Sequence, residues 1–194
     1  MRHHALVSIG ISAVALALLC ACGGTGSATV QSGHGTLSVH LTDAPIDLAN
    51  VQSVIVTLAG VIVYPQESMD TSLTDPAGTD LRPIVLLTHP ATFDLLTLTG
   101  GATELLASGE VPVGDYERIR LEISDATLIY TDGTSEPLKI DSNKVDVPIP
   151  FHILEGAETG VTLDFDAAAS VQVNETGNGK LILRPVVTPV SVTP

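Results

Sequence analysis

The sequence predicts an all-β fold, a single β-sandwich of roughly seven to nine strands behind an N-terminal leader. Three observations carry this. Short apolar runs alternate with polar residues at period 2, as in "TLSVHLT" and "RIRLEIS". Turn pairs such as Gly100-Gly101, Asp132-Gly133 and Asn178-Gly179 separate such runs. Beyond residue 36, no stretch keeps apolar residues at helical spacing over the roughly ten residues that a helix needs.

The elements follow in order. Leu37, Val39 and Leu41 alternate with Ser38, His40 and Thr42, and Thr42-Asp43-Ala44-Pro45 ends that strand. Asp favours an Asx turn there, and Pro cannot continue a ladder. The run from Ser53 to Tyr64, "SVIVTLAGVIVY", is apolar on both alternations. It predicts a long strand, buried on both faces or bent at Gly60. The polar stretch 65–80, with Pro and Gly, predicts a surface loop. Strand signals resume over Ile84–Leu87 and Thr92–Leu98, and Ala102–Ser108 suits a strand or one helical turn. Ile119, Leu121 and Ile123 then face one way, with Arg118, Arg120 and Glu122 the other. Asp132-Gly133 predicts a two-residue hairpin turn. Val145–Ile153, Val161–Val173 and Lys180–Val187 complete the set.

The leader reads as a secretory signal. Met1-Arg2-His3-His4 is short and cationic, and an apolar run starts at Ala5. It ends in Leu19-Cys20-Ala21-Cys22-Gly23, which resembles a bacterial lipobox. Cys22 has the small Ala21 before it and Leu19 at −3, so Cys22 is the expected lipid attachment site. Cys20 follows the bulky Leu19 and is expected to leave with the leader. The predicted organisation is thus a lipoprotein signal peptide over 1–21, a flexible Gly/Ser linker over 22–35 and the sandwich over 36–190. Several acyl chains, at about 0.8 kcal/mol per buried CH₂, make such an anchor lasting. The expected place is the cell envelope, exported and lipid-anchored. Gly23 after the cysteine points to the outer membrane where the cell has one.

Composition narrows the function. Hydrophobic residues make up 44% of the chain and aromatics 3%, with no Trp, so Val, Leu, Ile and Ala must build the core. The formal net charge is −14, and no Lys/Arg cluster offsets it, which argues against nucleic acid as a partner. No serine sits in a strand-to-helix elbow. His34, His40, His89 and His152 lack a second His or Cys at ligand spacing. No Gly-rich loop opens a helix to cradle phosphate.

Several segments together are similar to one family. "GTLSVHLTDAP" (35–45), "FDLLTLTGG" (93–101), "VPVGDYERIRLEI" (111–123), "DGTSEPLKI" (132–140) and "LDFDAAASV" (163–171) resemble the domain of unknown function 4382 family. Its members are secreted or lipid-anchored bacterial and archaeal proteins. The resemblance implies a sandwich of immunoglobulin-like or transthyretin-like kind and an accessory or surface module. It carries no catalytic residue and no cofactor. In related "G-x-Y" turns the glycine permits the turn and the tyrosine packs on the edge, which would make Tyr116 an edge residue.

What remains is carboxylate chemistry. In "GVTLDFDAAASVQV" (160–173), Val161, Leu163 and Phe165 face the core. Asp164 and Asp166 then share the other face, about 7 Å apart. The plain expectation is a solvated acidic face paired with Arg120 or Arg184. The sharper one is a calcium site in which Asp43 joins Asp164 and Asp166 at a sheet end, since calcium takes about six to eight oxygens. The function expected is a non-catalytic binding or structural module, with an envelope protein or glycan as partner at loops 65–82 and 141–160. The alternative is a carboxylate-based hydrolase, or a calcium-dependent enzyme or adhesion module, using Asp164 and Asp166.

Overall fold

The computed structural model describes residues 33–43, 50–66, 82–173 and 181–194. The leader with Cys20 and Cys22, most of the linker, Ala44-Pro45, the polar stretch 67–81 and the Asn178-Gly179 turn lie outside the described residues.

The chain is an all-β sandwich. Its strands are β1 (His34–Thr42), β2 (Val51–Pro65), β3 (Ile84–Val85), β4 (Ala91–Asp94), β5 (Glu104–Pro112), β6 (Gly114–Tyr130), β7 (Ser135–Pro137), β8 (Lys139–Ile140), β9 (Lys144–Ile153), β10 (Glu158–Phe165), β11 (Val171–Val173), β12 (Leu181–Leu183) and β13 (Val187–Thr193). One sheet runs β13-β10-β1-β5. The other is built on the long antiparallel pair β2–β6, with β3 and β4 on β2 and with β7 and β9 on β6. A small third sheet runs β11-β12-β8. Within the first sheet β1 and β10 are parallel, with Val39 opposite Val161 and Leu41 opposite Leu163. Among the described residues, no helix is long and apolar enough to cross a membrane.

The core comes from the alternation. Leu37, Val39, Leu41, Val161, Leu163 and Phe165 of the first sheet are almost wholly buried. They meet Val54, Val56, Leu58, Val61, Val63, Ile119, Leu121 and Ile123 of the second sheet in one cluster. "SVIVTLAGVIVY" is buried on one face only, and its apolar reading on both alternations has a mechanical cause. The buried positions switch from even (54, 56, 58) to odd (61, 63), and the pairing with β6 shifts between Leu58 and Gly60. A bulge inserts one residue and flips the parity, so the bend expected at Gly60 is present. β6 makes the matching switch, from Ile123 to Ala126, beside the shift at Thr57/Leu58. Both strands therefore keep their apolar side on the core.

Three predicted strands are interrupted. Thr92–Leu98 is β4 followed by a 3₁₀ turn over Leu95–Leu98, because the Asp94 side chain accepts from the Leu96 amide (3.2 Å). Val161–Val173 is broken by the one-turn helix α1 (Ala167–Ser170). Lys180–Val187 divides into β12 and the start of β13, with Pro185 between them. Ala102–Ser108 falls largely within β5, so its strand reading holds. His34, placed in the linker by composition, opens β1. The segment 141–160 is not a loop but mostly β9 and the start of β10.

The Asp132-Gly133 hairpin has a three-residue loop rather than two. The Gly133 amide donates to the Tyr130 carbonyl (3.0 Å), and the Tyr130 amide to the Thr134 carbonyl (2.9 Å). Gly133 sits at φ 84°, as a type I turn closed by a glycine bulge requires. Asp132 braces it by accepting from the Thr134 amide (2.8 Å) and hydroxyl (2.6 Å). Those bonds hold its carboxyl below the usual aspartate range.

Tyr116 is a core residue and not an edge one. Only 2% exposed, it stacks on Phe151 with ring centroids 5.1 Å apart. Its hydroxyl donates to the Pro112 carbonyl at 2.8 Å, tying β6 to the end of β5. Burial pushes the phenol from 10.0 up to about 12. The folded chain thus holds this proton more tightly than the unfolded chain. The resulting stability is complete below pH 10 and is lost as pH rises towards 12. Tyr116→Phe is expected to cost about 1 kcal/mol at neutral pH through the lost hydrogen bond. It should also flatten the alkaline decline in urea midpoint between about pH 10 and 12. An unchanged decline in the variant would assign that loss to other groups.

Candidate functional site

The three aspartates singled out by sequence lie at or just beyond strand ends of the first sheet, and two of them do structural work. Parallel pairing puts Thr42 opposite Asp164, so Asp43 arrives where β10 ends. Asp43 is 3% exposed, and its Oδ1 accepts from the Ala167 amide at 3.1 Å. Its own amide donates to the Leu98 carbonyl at 3.2 Å. Asp166 lies just past β10 as the N-cap of α1, accepting from the Ala169 amide at 2.8 Å. A capping carboxylate satisfies an amide that one turn of helix leaves without a partner. The knot continues outward. The Asp166 amide donates to the Val186 carbonyl (3.0 Å), and the Val186 amide donates to Ser170 Oγ (2.8 Å).

Asp164 and Asp166 are both half-buried, so the solvated face expected for them is more enclosed than an open sheet surface. The expected arginine partners are engaged elsewhere. Arg184 Nε meets Asp141 at 3.2 Å, and Arg120 meets Asp146. Among the described residues, no three of His, Cys, Asp and Glu gather as a metal ion would need. The Oδ1 atoms of Asp43 and Asp166 are bonded to backbone amides. His152 Nδ1 lies 2.7 Å from Asp115 on the surface, and His89 Nδ1 lies 3.0 Å from the Thr88 hydroxyl.

The strongest polar cluster is one that the sequence did not single out, on the outer face of the second sheet. Residues directly opposite across a sheet share a face. One row is therefore Tyr64, Arg118 and Pro148, and the next is Val85, Ile62, Arg120 and Asp146. Glu122 and Lys144 form the row beyond, with 3.4 Å between their charged atoms. Arg120 forks onto Asp146 through Nε (2.7 Å) and Nη2 (2.9 Å). That bidentate pair holds the Asp146 carboxyl below its ordinary range, the hydrogen bond from Arg120 being the main cause. The Arg118 guanidinium lies 4.0 Å above the Tyr64 ring centre, and that of Arg120 lies 5.0 Å from it. The alternation of Arg118, Arg120 and Glu122 was visible in the sequence. The ring beneath them and the acid beside them come from strands far away in the chain.

Elsewhere, a shallow cavity of 320 Å³ is lined by Glu136, Pro137, Leu138, Lys139 and Leu181. It brings one carboxylate and one ammonium to a mostly apolar wall, not a pair of acids.

Two solved structures are similar in outline. A "putative cell adhesion protein" from Bacteroides eggerthii DSM 20697 is 16% identical, with a TM-score of 0.30 over 80% of this chain and 56% of that one. Another from Bacteroides fragilis NCTC 9343 is 12% identical, with a TM-score of 0.27 over 80% of this chain and 45% of that one. The chain thus spans about half the length of the solved structures it matches. No curated protein matches it. The family model described as Domain of unknown function (DUF4382) matches residues 34–185, from the first residue of β1 to the threshold of β13, and the chain belongs to that family.

Proposed function

We propose that this chain is a lipid-anchored cell-envelope protein whose β-sandwich serves as a non-catalytic binding or structural module. The observation that carries the reading is the employment of the leading carboxylates. Asp43 and Asp166 bond backbone amides that fasten α1 to the end of the first sheet. A general acid or base must reach the proton it moves, and an oxygen fixed on an amide is poorly placed for that. The outward acids support the same reading, since Asp146 and Asp141 pair with arginines. The anchor rests on the sequence, where Cys22 follows Leu19-Cys20-Ala21 and precedes a Gly/Ser tether. Held by lipid, the module would present its outer sheet faces and loops to an envelope protein or a glycan.

The anchor is tested by fractionating cells that carry the full chain. Cys22→Ala is expected to shift the protein from the membrane to the soluble fraction and to remove the acyl mass. Cys20→Ala should do neither. Persistent acylation in Cys22→Ala overturns the reading.

A further inference from the structure

The two arginines over Tyr64 are in different states. Arg120 spends its fork on Asp146. Arg118 makes only long ionic contacts, 3.5 Å to Glu117 and 3.9 Å to Asp146, and among the described residues it makes no hydrogen bond. Its side chain is 36% exposed, with Nε buried and the guanidinium carbon 4.0 Å from the Tyr64 ring centre. A guanidinium already fixed in place loses little further freedom when it takes a ligand, and its planar fork matches a carboxylate. We propose that this face binds an acidic sugar, with Arg118 taking the sugar carboxylate. The proposal rests on the binding-module reading and deepens it to a site and a ligand class.

The surroundings choose among carboxylate ligands. An extended peptide binds a sheet through a free edge, and β6 has β2 on one side and β9 on the other. A helix needs a groove, whereas this surface is a row of side chains standing on a sheet. A sugar ring needs a small apolar platform beside polar groups that meet its hydroxyls. Exposed Pro148 flanks Arg118 opposite Tyr64, and Val85, 52% exposed, ends the next row. Asp146, Glu122 and Lys144 supply acceptors and a donor within that patch. A net charge of −14 repels a long polyanion, which favours a glycan unit with a single carboxylate.

The test is calorimetric titration of the full chain with a short galactose oligosaccharide carrying a single galacturonate unit at about 0.15 M salt, where long-range repulsion is screened. Binding is expected, with no heat from the neutral galactose oligomer. Arg118→Gln should weaken it about tenfold or more, the loss of a charge-assisted bidentate contact. Arg118→Lys, which keeps the charge without the fork, should also weaken it. Thermal melts of both variants should match the parent within about 2 °C, since Arg118 is half-buried and holds only long ionic contacts. Equal affinity in Arg118→Gln, or no binding by the parent chain, overturns the site. Equally tight binding of a short glutamate peptide overturns the sugar assignment. A different envelope ligand, held equally by the parent chain and Arg118→Gln, overturns the Arg118 site and leaves the module reading standing.

Discussion

Phe165→Ala is expected to destabilise the fold by about 3–5 kcal/mol, the largest effect of any single truncation considered for this chain. Phe165 is 1% exposed and is, among the described residues, the bulkiest of the fully buried side chains. It closes β10, opposite Val187 of β13, one residue before the chain turns into α1. Its removal takes away the transfer free energy of a ring and leaves a void under a junction of three segments. The neighbours Leu41 and Leu163 stand on strands held by parallel pairing, so they cannot collapse freely into the space. Phe165→Leu, which keeps most of the volume, should cost about 1 kcal/mol. Urea unfolding of both variants checks this. A midpoint shift for Phe165→Ala no larger than that for Phe165→Leu would show that the ring is not packed as described.

Which parts of this architecture could be read in the sequence follows from what each depends on. β1, β6 and β9 alternate because one face of each meets the core, and burial is a local property of every second residue. The bulge in β2 hid itself. A parity flip at Gly60 makes a one-faced strand look apolar throughout, and only its partner β6 shows where the flip falls. The helix within 161–173 had a local signal after all. Asp166 followed by Ala167-Ala168-Ala169 is an N-cap before strong helix formers, outweighed by the valines on either side. The three-residue loop at Asp132-Gly133 differs from a two-residue turn by one bond, between Tyr130 and Thr134, which the dipeptide does not specify. Pairings such as Arg120 with Asp146, or Arg118 over Tyr64, depend on the register between distant strands. No local pattern contains that information. Asp43 lies between these cases, since its position after β1 was plain and its amide partner 124 residues away was not.

That partner makes Asp43→Ala the second large effect, about 1.5–3 kcal/mol. The ordinary role for an aspartate before Ala44-Pro45 is to brace its own turn, a bond that water replaces at little cost. Here the carboxylate is buried, and it accepts from Ala167 at the start of α1. Removing it strands the Ala167 amide inside the protein, and the desolvation penalty of that group is then no longer offset. The loss spreads because α1 is only one turn long and cannot hold itself together. Its first amide depends on Asp43, its third on Asp166, and its last residue Ser170 carries the bond to Val186. Asp43→Asn keeps a carbonyl oxygen in nearly the same place and should recover more than half of the loss. For a domain of this size, each 1 kcal/mol shifts the melting midpoint by roughly 2–4 °C, so Asp43→Ala should melt about 3–12 °C below the parent. Hydrogen exchange locates the effect. The amides of Ala167 and Ala169 should lose protection before those of Val39 and Leu121, which lie in the paired centres of the two sheets. Uniform loss of protection would show instead that Asp43 supports the whole sandwich and not this corner of it.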